Sequence, residues 1–225
     1  MRTQKQKLYF FSSQIFFTVM LSPLFLFPRM TQTKLMRRII AFSFGSLIAK
    51  RYDLVIKSFG DLYGAALKAA LERADSISAI DIKKVIDCGT GSGFAAREVA
   101  AHFPEATVSG FDIIPEMLEQ AQKKSLAEGL KISYVQSDVF CLPLKDNAVD
   151  LVVAQNTVPF LSEYARVCRP GGIIVFVDTT AQWITSLAER AARRTECFDL
   201  VESRACDPGF YLIARRRSGA QAEPD

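Results

Sequence analysis

Residues 85–94 read Val-Ile-Asp-Cys-Gly-Thr-Gly-Ser-Gly-Phe. An apolar run meets an acid, Asp87, and then three glycines in alternate positions, Gly89, Gly91 and Gly93, with Thr90 among them. Glycines after a strand let the backbone approach a ligand closely, because no Cβ intervenes. Two ligand chemistries compete for such a loop. An anionic pyrophosphate wants backbone N–H groups at a helix start and is repelled by a nearby carboxylate. A ligand carrying an ammonium or other cation suits the carboxylate. A dinucleotide loop should read G-x-G-x-x-G/A. Counted from Gly89 the pattern fails at Phe94, whereas counted from Gly91 it fits as Gly91-Ser92-Gly93-Phe94-Ala95-Ala96. Asp87 as a plain strand-end cap is the bland alternative. Two more acids, Asp112 with Ile113 after it and Asp138 with Val139 after it, also follow apolar runs. Acids favour loops on their own account, so these too have a structural reading. Asn156 follows another apolar run and is either an active-site residue or a turn residue.

The elements that must carry these residues alternate. Helical spacing of apolar residues over 42–75 predicts two or three helices before the first strand. "KKVIDCG" then reads as a short buried strand, "FAAREVAAHF" as a helix stopped by Pro104, and "ATVSGFD" as a second strand. "PEMLEQAQKKSLAEG" is a helix punctuated by Pro115 and Gly129, and "KISYVQSD" and "VDLVVAQ" are strands three and four. "LSEYARVCRPGG" reads as a helix ending in a turn, "IIVFVDT" as strand five, and "AQWITSLAERAARR" as a helix. "FDLVESRACDPGFYLIARR" supplies two strands around a tight turn, which must run antiparallel to each other. The pattern predicts an α/β fold: a Rossmann-like, doubly wound, seven-stranded sheet, mostly parallel with an antiparallel last strand. In such sheets ligands sit at the carboxyl ends of the strands, where the strand order reverses.

Composition narrows the classes. Five cysteines form no C-x-x-C pair, and with the single histidine, His102, they make no zinc site; no metal is expected, and the thiols read as those of a cytoplasmic protein. Cys88 and Cys168 read as small buried apolar residues, and His102 as a helix-end residue. Residues 1–52 hold nine of the 28 basic residues and no acid, leaving 19 bases against 24 acids in the remainder. A mildly acidic body argues against a DNA-binding surface. Residues 1–41 form a basic, apolar segment with no charge between Lys7 and Arg29. It reads as a membrane anchor or as an extension upstream of a true start at Met20, Met30 or Met36; a cleaved signal lacks its small-x-small site. The main domain is expected over 42–217 and a loose tail over 218–225. Oligomeric state is open.

The order acid-x-G-x-G-x-G resembles motif I of the class I S-adenosylmethionine-dependent methyltransferases. "VSGFDIIPEMLEQAQKK", "SDVFCLPLKDNAVDLVVAQN" and "RVCRPGGIIVFVD" are similar to that family's later motifs, in order, over about residues 52–217. The resemblance implies S-adenosyl-L-methionine as cofactor. Asp87 would face its cationic amino-acid part, beside Gly89, Thr90, Gly91 and Gly93. Asp112 would accept from both ribose hydroxyls with Ile113 adjoining, Asp138 from the adenine amino group, and Val139 would lie against the ring. Asn156 would stand near the methyl group, as a candidate catalytic residue. "FGSLIAKRYD" and "RVCRPGG" resemble the ubiquinone/menaquinone-biosynthesis methyltransferases, with departures at Cys168 and Arg169 and after Asp53. Tyr52 is read as packing, with contact to the cofactor as the alternative. Strand four ends "AQNTVPF", without the Asn/Asp-Pro-Pro-aromatic tetrad of adenine or glutamine-amide enzymes and without a cytosine-C5 nucleophile. The expectation is a methyl acceptor that is a small molecule or lipid-like, with a membrane surface as a further partner through the amino end. A nicotinamide-dependent oxidoreductase and a non-catalytic S-adenosylmethionine-binding protein are the alternatives.

Overall fold

In the computed structural model the described residues are 54, 56, 57, 60–157, 160–179, 189, 190, 193, 196–206 and 209–218. Residues 1–53, including Tyr52, and the tail from 219 lie outside them, as does most of the helix expected after strand five. The elements run α1 (Leu62–Ile77), β1 (Lys84–Cys88), α2 (Phe94–His102), β2 (Thr107–Asp112), α3 (Pro115–Ala127) and β3 (Ile132–Gln136). They continue with β4 (Val149–Gln155), α4 (Leu161–Val167), β5 (Cys168–Asp178), β6 (Phe198–Cys206) and β7 (Gly209–Arg216). The seven strands form one sheet in the order β3-β2-β1-β4-β5-β7-β6. Pairings β1–β2, β2–β3, β1–β4 and β4–β5 are parallel, and β7 is antiparallel to both β5 and β6. The expected sheet is therefore present. The chain starts in its middle, winds out to β3 and returns to lay β4 on the other side of β1, so the order reverses between β1 and β4.

Successive side chains of a strand point to opposite faces, and both faces are covered here. One carries Val85, Val108, Leu151, Val153, Ile173, Val175 and Ile213 against Leu67 and Leu71 of α1 and Ala95, Ala96 and Val99 of α2. The other carries Ile86, Cys88, Phe111, Val152, Ala154, Ile174 and Phe176 against Tyr164, Ala165 and Val167 of α4. A strand buried on both faces reads as an unbroken apolar run, which is why β4 is buried along its whole length. α3 begins at Pro115 and ends where Gly129 turns at φ 70° and Leu130 N–H returns to Ser125 O at 2.9 Å. Among the described residues no helix is long and apolar enough to cross a membrane.

The stretch read as a helix running into a turn behaves differently. α4 stops at Val167, and β5 already begins at Cys168. Cys168 pairs with Val149 and Ile173 with Leu151, so Arg169–Gly172 bulge from the ladder between them. Pro170 cannot continue a helix and Gly171 sits at φ 79°, so the kink becomes a bulge inside a strand.

The glycine loop follows β1 directly. Gly89, Gly91 and Gly93 have φ values of 70°, 52° and 78°, a left-handed path that other residues resist. A Cβ on Gly89 would lie 2.5 Å from Thr157 Oγ1, and one on Gly93 would lie 2.6 Å from the Tyr134 hydroxyl and 2.8 Å from Ala121 Cβ. At 89 and 93 the room the glycines leave is thus taken by the protein itself, and ligand space is not their only use. Gly93→Ala adds strain and overlap and should lower stability by about 2–4 kcal/mol; urea denaturation measures it.

Candidate functional site

The carboxyl end of β1 carries the most unusual group. Asp87 is 0% exposed. Its Oδ2 accepts a 2.6 Å hydrogen bond from Thr90 Oγ1, while its Oδ1 is buried with no hydrogen-bond partner. Burial pushes its carboxyl from an ordinary 3.8 up to about 7, the Thr90 hydroxyl and, more weakly, the Ala96 backbone N–H pull the other way, and the neighbouring Asp112 adds to the rise. Parity sets where it points: Asp87 lies on the face of Val85, toward α1 and α2.

A small crevice, open to solvent, lies there. Asp87, Gly89, Thr90, Ser92 and Phe94 line it with Gln155 and Tyr63. Asp87 is registered with Val153 of β4, so Gln155, two residues on, shares the same face. Gln155 Nε2 donates to the Tyr63 carbonyl at 3.1 Å, and its Oε1 is buried without a partner. Two residues with orphaned buried acceptors thus line one crevice at the β1–β4 reversal. Buried acceptors without donors are costly, so the crevice suits a ligand that brings N–H donors and positive charge.

The other acids stand beside it in order. Asp112, the last residue of β2, is 8% exposed and accepts from Gly91 N–H at 2.8 Å and Ile114 N–H at 2.9 Å. Burial raises its pKa against those backbone bonds. It therefore bridges the glycine loop and the start of α3, with Ile113 half-buried beside it. Asp138 lies two residues beyond β3, half-buried, where its Oδ1 accepts from Phe140 N–H at 3.1 Å. Ser137 N–H donates to Asp112 O at 2.9 Å and ties the two strand ends together. Val139 leans on the core face that carries Phe111. Asp87, Asp112 and Asp138 thus stand at or just past the carboxyl ends of the neighbouring strands β1, β2 and β3.

Asn156 adopts φ 53° just past β4. Its Nδ2 donates to Thr179 Oγ1 at 2.7 Å and to the Tyr63 hydroxyl at 3.2 Å, and its Oδ1 accepts from Thr179 N–H at 2.8 Å. The side chain clamps the ends of β4 and β5 to α1. Cys88 and Cys168 are fully buried, and burial raises both thiols, Cys168 to about 12, so they stay protonated. Among the described residues no group of three or more His, Cys, Asp or Glu could hold a metal ion.

Sequence reading missed Gln155 and Tyr63. Gln155 carried a signal: it is a polar residue closing a mostly apolar strand, two positions after Val153 and so on the same face. Its nearness to Asp87, however, required the β1–β4 pairing. Tyr63 carried none, because a tyrosine on a helix face reads as packing.

Comparison with known proteins places this geometry. The methyltransferase domain family matches residues 85–172. Demethylmenaquinone methyltransferase of Thermus thermophilus is 36% identical over 145 residues, covering 59% of this chain and 63% of that protein. A ubiquinone/menaquinone biosynthesis C-methyltransferase of Bdellovibrio bacteriovorus is 35% identical over 102 residues, 42% of this chain and 43% of its own. The chain spans less than two thirds of the length of these curated relatives. A Methanococcus maripaludis structure assigned to the S-adenosyl-L-methionine-dependent methyltransferases superposes with a TM-score of 0.63 over 76% of this chain and 93% of that one; at 19% identity the likeness is one of fold. The match over residues 85–172, the sheet order and the acid-glycine loop agree in their likeness to the class I S-adenosylmethionine-dependent methyltransferases.

Proposed function

We propose that this chain transfers a methyl group from S-adenosyl-L-methionine to a small-molecule or lipid-like acceptor. The observation that carries the reading is the pair of unpartnered buried acceptors, Asp87 Oδ1 and Gln155 Oε1, on residues that line the crevice at the β1–β4 reversal. An ammonium supplies donors to both oxygens, whereas a pyrophosphate would bring a negative charge against Asp87. The nicotinamide alternative is disfavoured on that ground.

The donor brings a methyl group already activated on a sulfonium. What the chain supplies is placement. Asp87 and Gln155 hold the amino-acid end, with Gly89, Thr90, Gly91 and Gly93 as the loop beneath it. Asp112 takes the ribose hydroxyls beside Ile113, and Asp138 with Val139 takes the adenine. Asn156 acts by fixing the ends of β4 and β5, since its amide is committed to Tyr63 and Thr179. Holding an acceptor in line with the S–CH₃ bond and excluding water then carries much of the acceleration. The methyltransferase unit spans 42–217, with 218–225 as tail. The relatives named for demethylmenaquinone and ubiquinone/menaquinone methylation support a hydrophobic ring as acceptor. The basic, apolar residues 1–41 would deliver the domain to a membrane surface from the cytoplasm, where such an acceptor resides.

Three measurements test this. In thermal-shift assays S-adenosylhomocysteine should raise Tm while NADH leaves it unchanged, and Asp112→Ala should weaken the nucleoside about tenfold or more; stabilisation by NADH would sink the reading. Labelled donor should pass its methyl to a lipid or quinone extract and not to DNA.

The third concerns pH. The folded pKa of Asp87 near 7 lies above its ordinary 3.8, so the ligand-free fold keeps a proton that the unfolded chain has released. Its contribution to stability is complete below about pH 4 and declines as pH rises to about 7. Urea melts of the ligand-free protein should follow that slope, and Asp87→Asn should shallow it. A cationic ligand needs the ionised form, so S-adenosylhomocysteine affinity should drop by up to about tenfold per pH unit below 7 in wild type and stay flatter in the variant.

A further inference from the structure

The Gln155 side chain faces two ways. Its Nε2 is committed to the Tyr63 carbonyl at 3.1 Å, which fixes which end of the amide points at α1, while Oε1 is buried without a partner on a residue that lines the crevice together with Asp87. The next residue grips the same tyrosine again: Asn156 Nδ2 donates to the Tyr63 hydroxyl at 3.2 Å. Tyr63 is therefore held by main chain and phenol from consecutive residues at the end of β4. Its ring meets Phe94, the first residue of α2, edge-on with centroids 4.8 Å apart. A Cβ on Gly64 would lie 2.9 Å from the Phe94 ring, so the absent side chain lets the first turn of α1 sit down on the crevice wall.

We propose that Gln155 is a positioning residue that couples the donor's ammonium to the docking of α1. Its Oε1 receives an ammonium N–H while its Nε2 keeps Tyr63 in the crevice wall. The inference rests on the methyl-donor reading above. A rotamer that lets go of Tyr63 also turns Oε1 away, so a ligand that bonds Oε1 favours the docked arrangement by its differential affinity. Bonding at one end of an amide also polarises the other and strengthens it. The first turn of α1 should accordingly open less often when the ammonium is present.

Hydrogen exchange on the full chain tests this over residues 60–67, with saturating S-adenosylhomocysteine or with 5′-methylthioadenosine, which has the nucleoside and lacks the ammonium. In wild type the former should slow exchange of this segment by about fivefold or more and the latter should not. Gln155→Met should weaken S-adenosylhomocysteine about tenfold, leave 5′-methylthioadenosine within about twofold, and abolish the ligand-dependent slowing. A purely structural role for Gln155 would weaken both ligands alike, and that result overturns the inference. So does equal protection by the two ligands, or none by either, in wild type that binds both; this comparison stands even if the variant does not fold. If wild type binds no S-adenosylhomocysteine at all, the methyl-donor reading itself falls and takes the inference with it.

Discussion

The carboxyl of Asp87 is fully buried, receives one hydrogen bond from Thr90 and leaves its other oxygen without a donor. A buried charge in that state is expensive, so the group either keeps a proton or meets a cation. Asp112 is near enough to raise its pKa further, and Gln155, which lines the same crevice, also has a buried acceptor without a donor. Strain of this kind, tolerated at the point where the sheet order reverses, marks the place where a ligand completes the protein.

The helix before the first strand belongs to this site as much as the strands do. Tyr63 lines the crevice, and both of its polar ends are held from the end of β4. The rest of α1 is anchored by Leu67, Ala70 and Leu71, which are essentially inaccessible to solvent. Burial of this sort is worth about 1.5–3 kcal/mol for each large side chain, enough to make α1 a firm wall while its first turn depends on a few polar bonds.

The glycine loop has two kinds of glycine. All three take a left-handed backbone, and those at 89 and 93 also leave room for tight packing by Thr157, Tyr134 and Ala121. Gly91 instead offers its N–H to Asp112, so the loop is tied to the neighbouring strand end. A further small residue supports it from below: a Cβ at Gly110 of β2 would lie 2.7 Å from Thr90 Oγ1, the hydroxyl that holds Asp87. Nothing in the local sequence around Gly110 announces that contact.

Alternation of apolar strands with punctuated helices was enough to determine the doubly wound sheet, because each apolar run had to be covered on both faces. The order of Asp87, the glycines, Asp112 and Asp138 was likewise legible, since each lies at the end of its strand or just beyond it. Where the chain was misread, at Cys168–Gly172, a helix end, a proline and a glycine looked like a turn, and only pairing with β4 made them a bulge. Period-two parity already placed Asp87 and Gln155 toward one face of their strands, but not side by side. That β4 returns next to β1 is a long-range fact, and so is the seating of Tyr63 against both. Local pattern sets which way a side chain faces; which other side chain it meets is decided by tertiary pairing, and the two orphaned oxygens acquire a common meaning only there.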